Sequence, residues 1–150
     1  MRIMLDTMIY DAIVANPEAM RLVMFLTEKG TLNIVTTHIQ EDQLAGIIDD
    51  AKRRAVLSIP TSKVTTNGAV WNLSKWDECT WGSDKTDTAI NDLIKCNPKH
   101  APDALIGVTA SSAADILVTA DKQLTARIKV SDLKLKVLDF EGFLNLLRVA

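Results

Sequence analysis

Four short stretches of this chain place a carboxylate where an element starts or stops: "IMLD" at 3–6, "THIQEDQL" at 37–44, "APDALI" at 101–106 and "ILVTAD" at 116–121. The first and last are apolar, β-branched runs that read as buried strands, each leading to an aspartate, Asp6 and Asp121. Asp103 follows Pro102 in the first turn of an expected helix, and Glu41 or Asp42 opens the helix after "LNIVTT". Taken singly, each acid suits an ordinary cap or early-helix position. Gathered at one point, however, carboxylates repel, and the arrangement costs stability unless a cation sits among them or their pKa values rise. Hard oxygen donors without Cys or His suit Mg²⁺ or Mn²⁺. Ions of this kind lower the pKa of a bound water and stabilise the oxygens of phosphodiester cleavage.

The elements that must position these acids alternate along the chain. Strands are expected at 2–6, 32–37, 115–121 and 135–140. Helices are expected from Pro17 to just before Gly30, over 38–57, over 87–96 and from Pro102 onward. This alternation predicts βαβ units and a three-layer α/β/α sandwich with a central, mostly parallel sheet. In such sheets ligands bind beyond the carboxyl ends of the strands, which puts Asp6 and Asp121 on one edge. Asp103 joins them if its helix leads into the last acid-bearing strand by a right-handed crossover. The segment from Ile59 to Asp84 fits least. It carries Trp71, Trp76 and Trp81, the only tryptophans, at a spacing of five that matches neither a helical nor a strand face. Two readings stand: they pack an irregular excursion onto the core, or they expose a stacking platform for a base or a partner.

Composition bounds the alternatives. A chain of 150 residues, 47% hydrophobic and 24% charged, is expected to fold as a single domain spanning 1–150 without structural metal or disulfides. Cys79 and Cys96 lack zinc or redox spacing. No apolar run approaches a membrane span, and the N-terminal residues lack a signal peptide's apolar core, so a cytoplasmic location is expected. The net charge of −2 argues against indiscriminate nucleic-acid binding but permits a local basic patch. Lys122, Arg127 and Lys129, or Lys52, Arg53 and Arg54, are candidates for phosphate contacts, with solvated charge as the alternative for each. Ser83 and Ser111 have no accompanying hydrolase motif, and the phosphate-binding loop of ATPases is missing. A phosphoacceptor receiver domain would need an adjacent acidic pair after the first strand and a Lys-Pro after the last, and neither is present.

In order and spacing, "IMLDT", "IVTTHIQEDQL", "KHAPDALIGVTA" and "ILVTADKQL" resemble the PIN domain, a family of metal-dependent ribonucleases that includes the VapC-type toxins of toxin-antitoxin pairs. The resemblance runs from residue 1 to about 140, and its most specific feature is "DALI" with "VTAD" placing Asp121 18 residues after Asp103. It implies Mg²⁺ or Mn²⁺ ligand roles for Asp6, Asp103 and Asp121, with Thr119 supporting the site through its hydroxyl. The second acid stays open between Asp42, Glu41 and the neutral Gln43; counting back four residues from Gly46 favours Asp42. His38 and His100 fall outside this acids-only set and are expected to be structural or solvated, although His100 could touch substrate. The implied activity is cleavage of RNA to 5′-phosphate and 3′-hydroxyl ends, with an antitoxin protein and a second copy of the chain as implied partners. The competing expectation is a scaffold of the same fold without catalysis, which Gln43 and the tryptophans would suit.

Overall fold

The computed structural model describes residues 1–95 and 97–150; Cys96 lies outside the described residues. The chain runs through β1 (Arg2–Leu5), α1 (Thr7–Ala15), α2 (Pro17–Glu28), β2 (Asn33–Thr36), α3 (His38–Ala45), α4 (Asp50–Leu57) and β3 (Ser62–Lys63). It continues through β4 (Thr66–Asn67), β5 (Cys79–Thr80), α5 (Asp84–Ile94), α6 (Ala101–Ala113), β6 (Ile116–Val118), α7 (Lys122–Val130), β7 (Lys136–Leu138) and α8 (Phe140–Val149). Among the described residues no helix is long and apolar enough to cross a membrane.

Five strands form one sheet in the order β3-β2-β1-β6-β7, and every pairing in it is parallel. The three central strands carry mostly apolar side chains on both faces, as a sheet covered by helices on each side requires. Ile3 and Leu5 of β1 pack with Ile9, Tyr10 and Ile13 of α1, Val23 and Leu26 of α2 and Phe143 of α8. Met4 points the opposite way and packs with Leu93 of α5, Leu105 of α6 and Leu124 and Ile128 of α7. The alternation of Ile3, Met4 and Leu5 therefore divides the core into two layers, giving the expected three-layer sandwich.

Local chemistry sets the element ends. The Asn16 side chain accepts from the backbone amides of Glu18 and Ala19, both at 3.0 Å, and Pro17 takes the first helical position of α2. Gly30, at φ +73°, makes the left-handed turn that brings the chain back to β2. The single helix expected over 38–57 is two: α3 ends at Gly46, and Asp49 starts α4 by accepting from the Lys52 amide at 2.9 Å. The strands are shorter than the apolar runs, because the acids and threonines at their ends leave the ladder to meet helices instead.

One buried polar side chain fastens the second βα unit to the first. Gln40 of α3 is fully buried; its Oε1 accepts from the Thr37 amide at 2.9 Å and the Thr37 hydroxyl at 3.1 Å, while its Nε2 donates to the Leu5 carbonyl. Leu5 is the residue directly before Asp6. The end of β1 is thus held by a side chain from the neighbouring unit.

Candidate functional site

β1 and β6 lie side by side at the point where the strand order reverses: β1 leads outward to β2 and β3, and β6 leads the other way to β7. The crevice beyond their carboxyl ends is where a doubly wound sheet binds its ligand. Asp6 follows β1 with its amide donating to the Val118 carbonyl of β6 at 2.8 Å, so backbone pairing carries the acid to the edge of the sheet. Thr119 follows β6 in the same way, its amide donating to the Leu138 carbonyl at 3.0 Å. Its buried hydroxyl donates to Asp6 Oδ2 at 2.6 Å and accepts from the Asp121 amide at 3.0 Å. One side chain thereby orients two acids that are far apart in sequence.

Each acid is also held from its own side. Asp121 Oδ1 caps α7, accepting from the amides of Gln123 at 2.7 Å and Leu124 at 3.0 Å. Asp6 is mostly buried, and the Thr7 hydroxyl reaches its Oδ1 at 3.4 Å. Asp103, half-buried in the first turn of α6, has its carboxyl pushed above the usual range, first by burial and then by the negative charges of Asp6 and Asp121. Arg127 and His100 pull it the other way. Asp103 therefore sits in the field of both other acids. Among the described residues, no three acid, His or Cys side chains converge on a single point. Asp6 is turned toward Thr119 and Asp121 toward the amides of its own helix, so the three carboxylates do not share one point.

The structure does not bring the remaining candidates into this group. Asp42 is exposed and pairs with Lys75, Nζ to Oδ2 at 2.6 Å. Glu41 pairs with Lys63 at 2.9 Å, and Gln43 is exposed. His38 is buried at the start of α3; its Nε2 lies 3.4 Å from the Leu73 carbonyl and its Nδ1 3.7 Å from Glu78. His100 stands beside Asn97 at the entry to α6, close enough for its charge to act on Asp103.

The basic candidates separate sharply. Lys52 pairs with Asp11 at 2.8 Å, and Arg53 and Arg54 both pair with Asp50. Arg127 turns inward and donates to the Leu93 carbonyl at 2.8 Å, so it joins α7 to α5. Lys122 and Lys129 are exposed. The tryptophans do not pack onto the core: Trp71, Trp76 and Trp81 are 87%, 83% and 87% exposed. A cavity of about 620 Å³ is lined by these rings, and none of the three neighbouring acids borders it. Sequence reasoning did not single out Gln40 or Lys75; the Thr37-x-x-Gln40 capping box was a local signal for the first, while no local pattern marks Lys75, whose partner Asp42 is 33 residues away.

No protein-family model matches the chain, and no curated protein does. Solved structures are similar to it in fold. PAE2754 from Pyrobaculum aerophilum superposes with a TM-score of 0.56 at 17% identity, covering 100% of both chains. VapBC2 from Rickettsia felis, solved bound to a DNA fragment from their promoter, superposes with a TM-score of 0.50 at 15% identity, covering 93% of this chain and 98% of that one.

Proposed function

We propose that this chain, which has the PIN-like fold of these neighbours, is a metal-dependent endoribonuclease. The observation that carries the proposal is the Thr119 hydroxyl joining Asp6 to Asp121, with Asp103 in the field of both, at the reversal of strand order. Carboxylate oxygens are the hard donors that Mg²⁺ or Mn²⁺ takes. Asp6, Asp103 and Asp121 would hold the ion, with Asp42, or Glu41 in its place, as a fourth acid once freed from its lysine. When bound, a divalent cation supplies Lewis acidity that favours hydroxide formation near neutral pH and offsets charge on the leaving oxygen. Thr119 positions Asp6, and exposed Lys122 is placed to meet a phosphate at the amino end of α7.

Single-stranded RNA is the substrate class this site suits, with 5′-phosphate and 3′-hydroxyl products. A toxin role, with an antitoxin protein that silences the site, is the cellular setting we favour, together with a cytoplasmic location and a homodimer. The support for it is the fold likeness to VapBC2 over nearly the full length of both chains.

The decisive experiment is incubation of a mixed single-stranded RNA pool with the protein in Mn²⁺ and in EDTA, alongside thermal unfolding in both. Cleavage only with Mn²⁺, and a melting temperature that Mn²⁺ raises in the wild type but much less in Asp121→Asn, are the expected results. A melting rise of equal size in both proteins would sink the shared metal site. Intact RNA together with an Asp121-dependent rise would favour a metal-binding scaffold. That second reading has one observation behind it: Lys75 and Lys63 already neutralise Asp42 and Glu41.

The fourth acid has its own test. Asp42→Asn is expected to reduce Mn²⁺-dependent cleavage more than Glu41→Gln, by about tenfold if its removal weakens metal binding as loss of a supporting ligand does. The opposite ranking in initial rates would assign the position to Glu41.

A further inference from the structure

We propose that Arg127 is a positioning residue for the acidic edge: its buried guanidinium ties the amino end of α7, which carries Asp121, to the end of α5, from which the chain leads to Asp103. The inference rests on the reading of Asp103 and Asp121 as metal ligands, and it adds to that reading a residue outside the ligand set. Arg127 is 8% exposed, and among the described residues no carboxylate lies within ion-pair distance of it. A buried cation without an acid partner costs stability, so other groups must offset it.

The guanidinium meets two backbone carbonyls. Nη1 donates to the Leu93 carbonyl in the last turn of α5 at 2.8 Å, and Nε donates to the Gln123 carbonyl in the first turn of α7 at 3.3 Å. The Gln123 amide in turn donates to Asp121 Oδ1 at 2.7 Å, so the residue that holds this acid is itself held by the arginine. On the other side, the chain leaves α5 through Lys95, a non-glycine residue in the left-handed region at φ 45°, and enters α6 through the single turn Pro98–His100. That turn is closed by the His100 amide on the Asn97 carbonyl at 2.9 Å and by the Lys99 amide on the Asn97 side chain at 3.2 Å. Asp103 stands in the first turn of the helix that follows. Where Leu93 is held therefore bears on where Asp103 stands.

The helix that carries Asp103 packs into the same corner. Gly107 lies one turn beyond Asp103 on the same face of α6, and a Cβ there would stand 3.5 Å from Ile128 Cδ1 and 3.6 Å from Leu93 Cδ1. The residue after Arg127 and the residue whose carbonyl it takes thus both lie against α6. Charge agrees with this placement. Beside the burial and the two acids that push the Asp103 carboxyl up, Arg127 and then His100 pull it down, which puts the guanidinium within charge reach of the carboxylate. The carbonyl end of α5 is also the negative end of its dipole, and it favours a cation there. A helix cap alone would need only the Leu93 carbonyl, which a lysine could meet. Two carbonyls on different helices need the fixed fork of a guanidinium.

Arg127→Lys keeps the charge and loses the fork. Ile128→Val is the control, since it thins the same contact with Leu93 and α6 and leaves the hydrogen bonds around Asp121 in place. Two readouts on the full chain separate the roles: the Kd for Mn²⁺ by calorimetry, well below each melting temperature, and metal-free amide exchange at Gln123 and Leu124, the two amides on Asp121 Oδ1. Arg127→Lys is expected to bind Mn²⁺ about tenfold more weakly, as loss of a group that supports a ligand does, and to exchange faster at both amides. Arg127→Met is expected to bind Mn²⁺ at least as weakly. Ile128→Val is expected to lower the melting temperature with both readouts unchanged. The role is overturned if Arg127→Lys matches the wild type in either readout, or if Ile128→Val weakens Mn²⁺ binding as much. Tighter Mn²⁺ binding by Arg127→Met than by the wild type would also overturn it, since the arginine would then act only as a charge opposing the ion. A wild type that binds no Mn²⁺ defeats the reading of the acids as metal ligands, and amide exchange then decides alone: faster exchange in Arg127→Lys upholds the hold on Asp121, and unchanged exchange ends it.

Discussion

Asp103→Asn is expected to abolish Mn²⁺-dependent RNA cleavage and to make the metal-free fold more stable. Asparagine keeps the size and one oxygen of the side chain but removes the charge that Asp6 and Asp121 oppose. Loss of one charged group from a preorganised site lowers turnover by about 10²–10³-fold or more. The stability gain follows from the same crowding. The Asp103 carboxyl titrates higher in the folded chain than in the unfolded one, so the fold favours its protonated form. Its relative contribution is therefore most favourable at acid pH and is lost as pH rises through the folded-state pKa. In EDTA at neutral pH the variant should melt above the wild type. At acid pH, with Asp103 already protonated, the two curves should converge. A lower melting temperature at neutral pH would mean that Asp103 serves the fold, and retained cleavage would remove it from the chemistry.

Gln40→Leu carries the second large effect, on stability. The side chain is fully buried, and leucine fills similar space while leaving the Leu5 carbonyl, the Thr37 amide and the Thr37 hydroxyl without their partner. An unsatisfied buried polar group costs about 1–3 kcal/mol, and two or three of them set a loss of roughly 2–4 kcal/mol after local relaxation. Urea unfolding should show the midpoint fall with an unchanged slope. The exposed Gln43→Leu is the control, expected within about 0.5 kcal/mol of wild type. Because Gln40 holds the residue before Asp6, cleavage by Gln40→Leu should fall even below its unfolding temperature. Equal stability of the two variants would show that the contact between α3 and β1 is dispensable.

The comparison of Gln40 with Gln43 shows how far sequence reading reaches. The short apolar runs ending in Asp6 and Asp121, the proline-first helices and the position of Asp103 beside Pro102 are all local patterns, and local patterns determined the layer order and set Asp6 and Asp121 at the carboxyl ends of β1 and β6. Strand and helix periodicity act over a few residues, so they can be read directly. Tertiary structure alone decided which glutamine is buried, that Lys75 and Lys63 take Asp42 and Glu41, that Arg127 turns inward, and that three tryptophans face water. Each of these depends on a partner, or on the lack of one, set by elements distant along the chain. The Lys75–Asp42 pair spans 33 residues and the Thr119–Asp6 bond 113. Side-chain type states what a residue can do, but the packing of the sheet and its helices determines what lies within its reach.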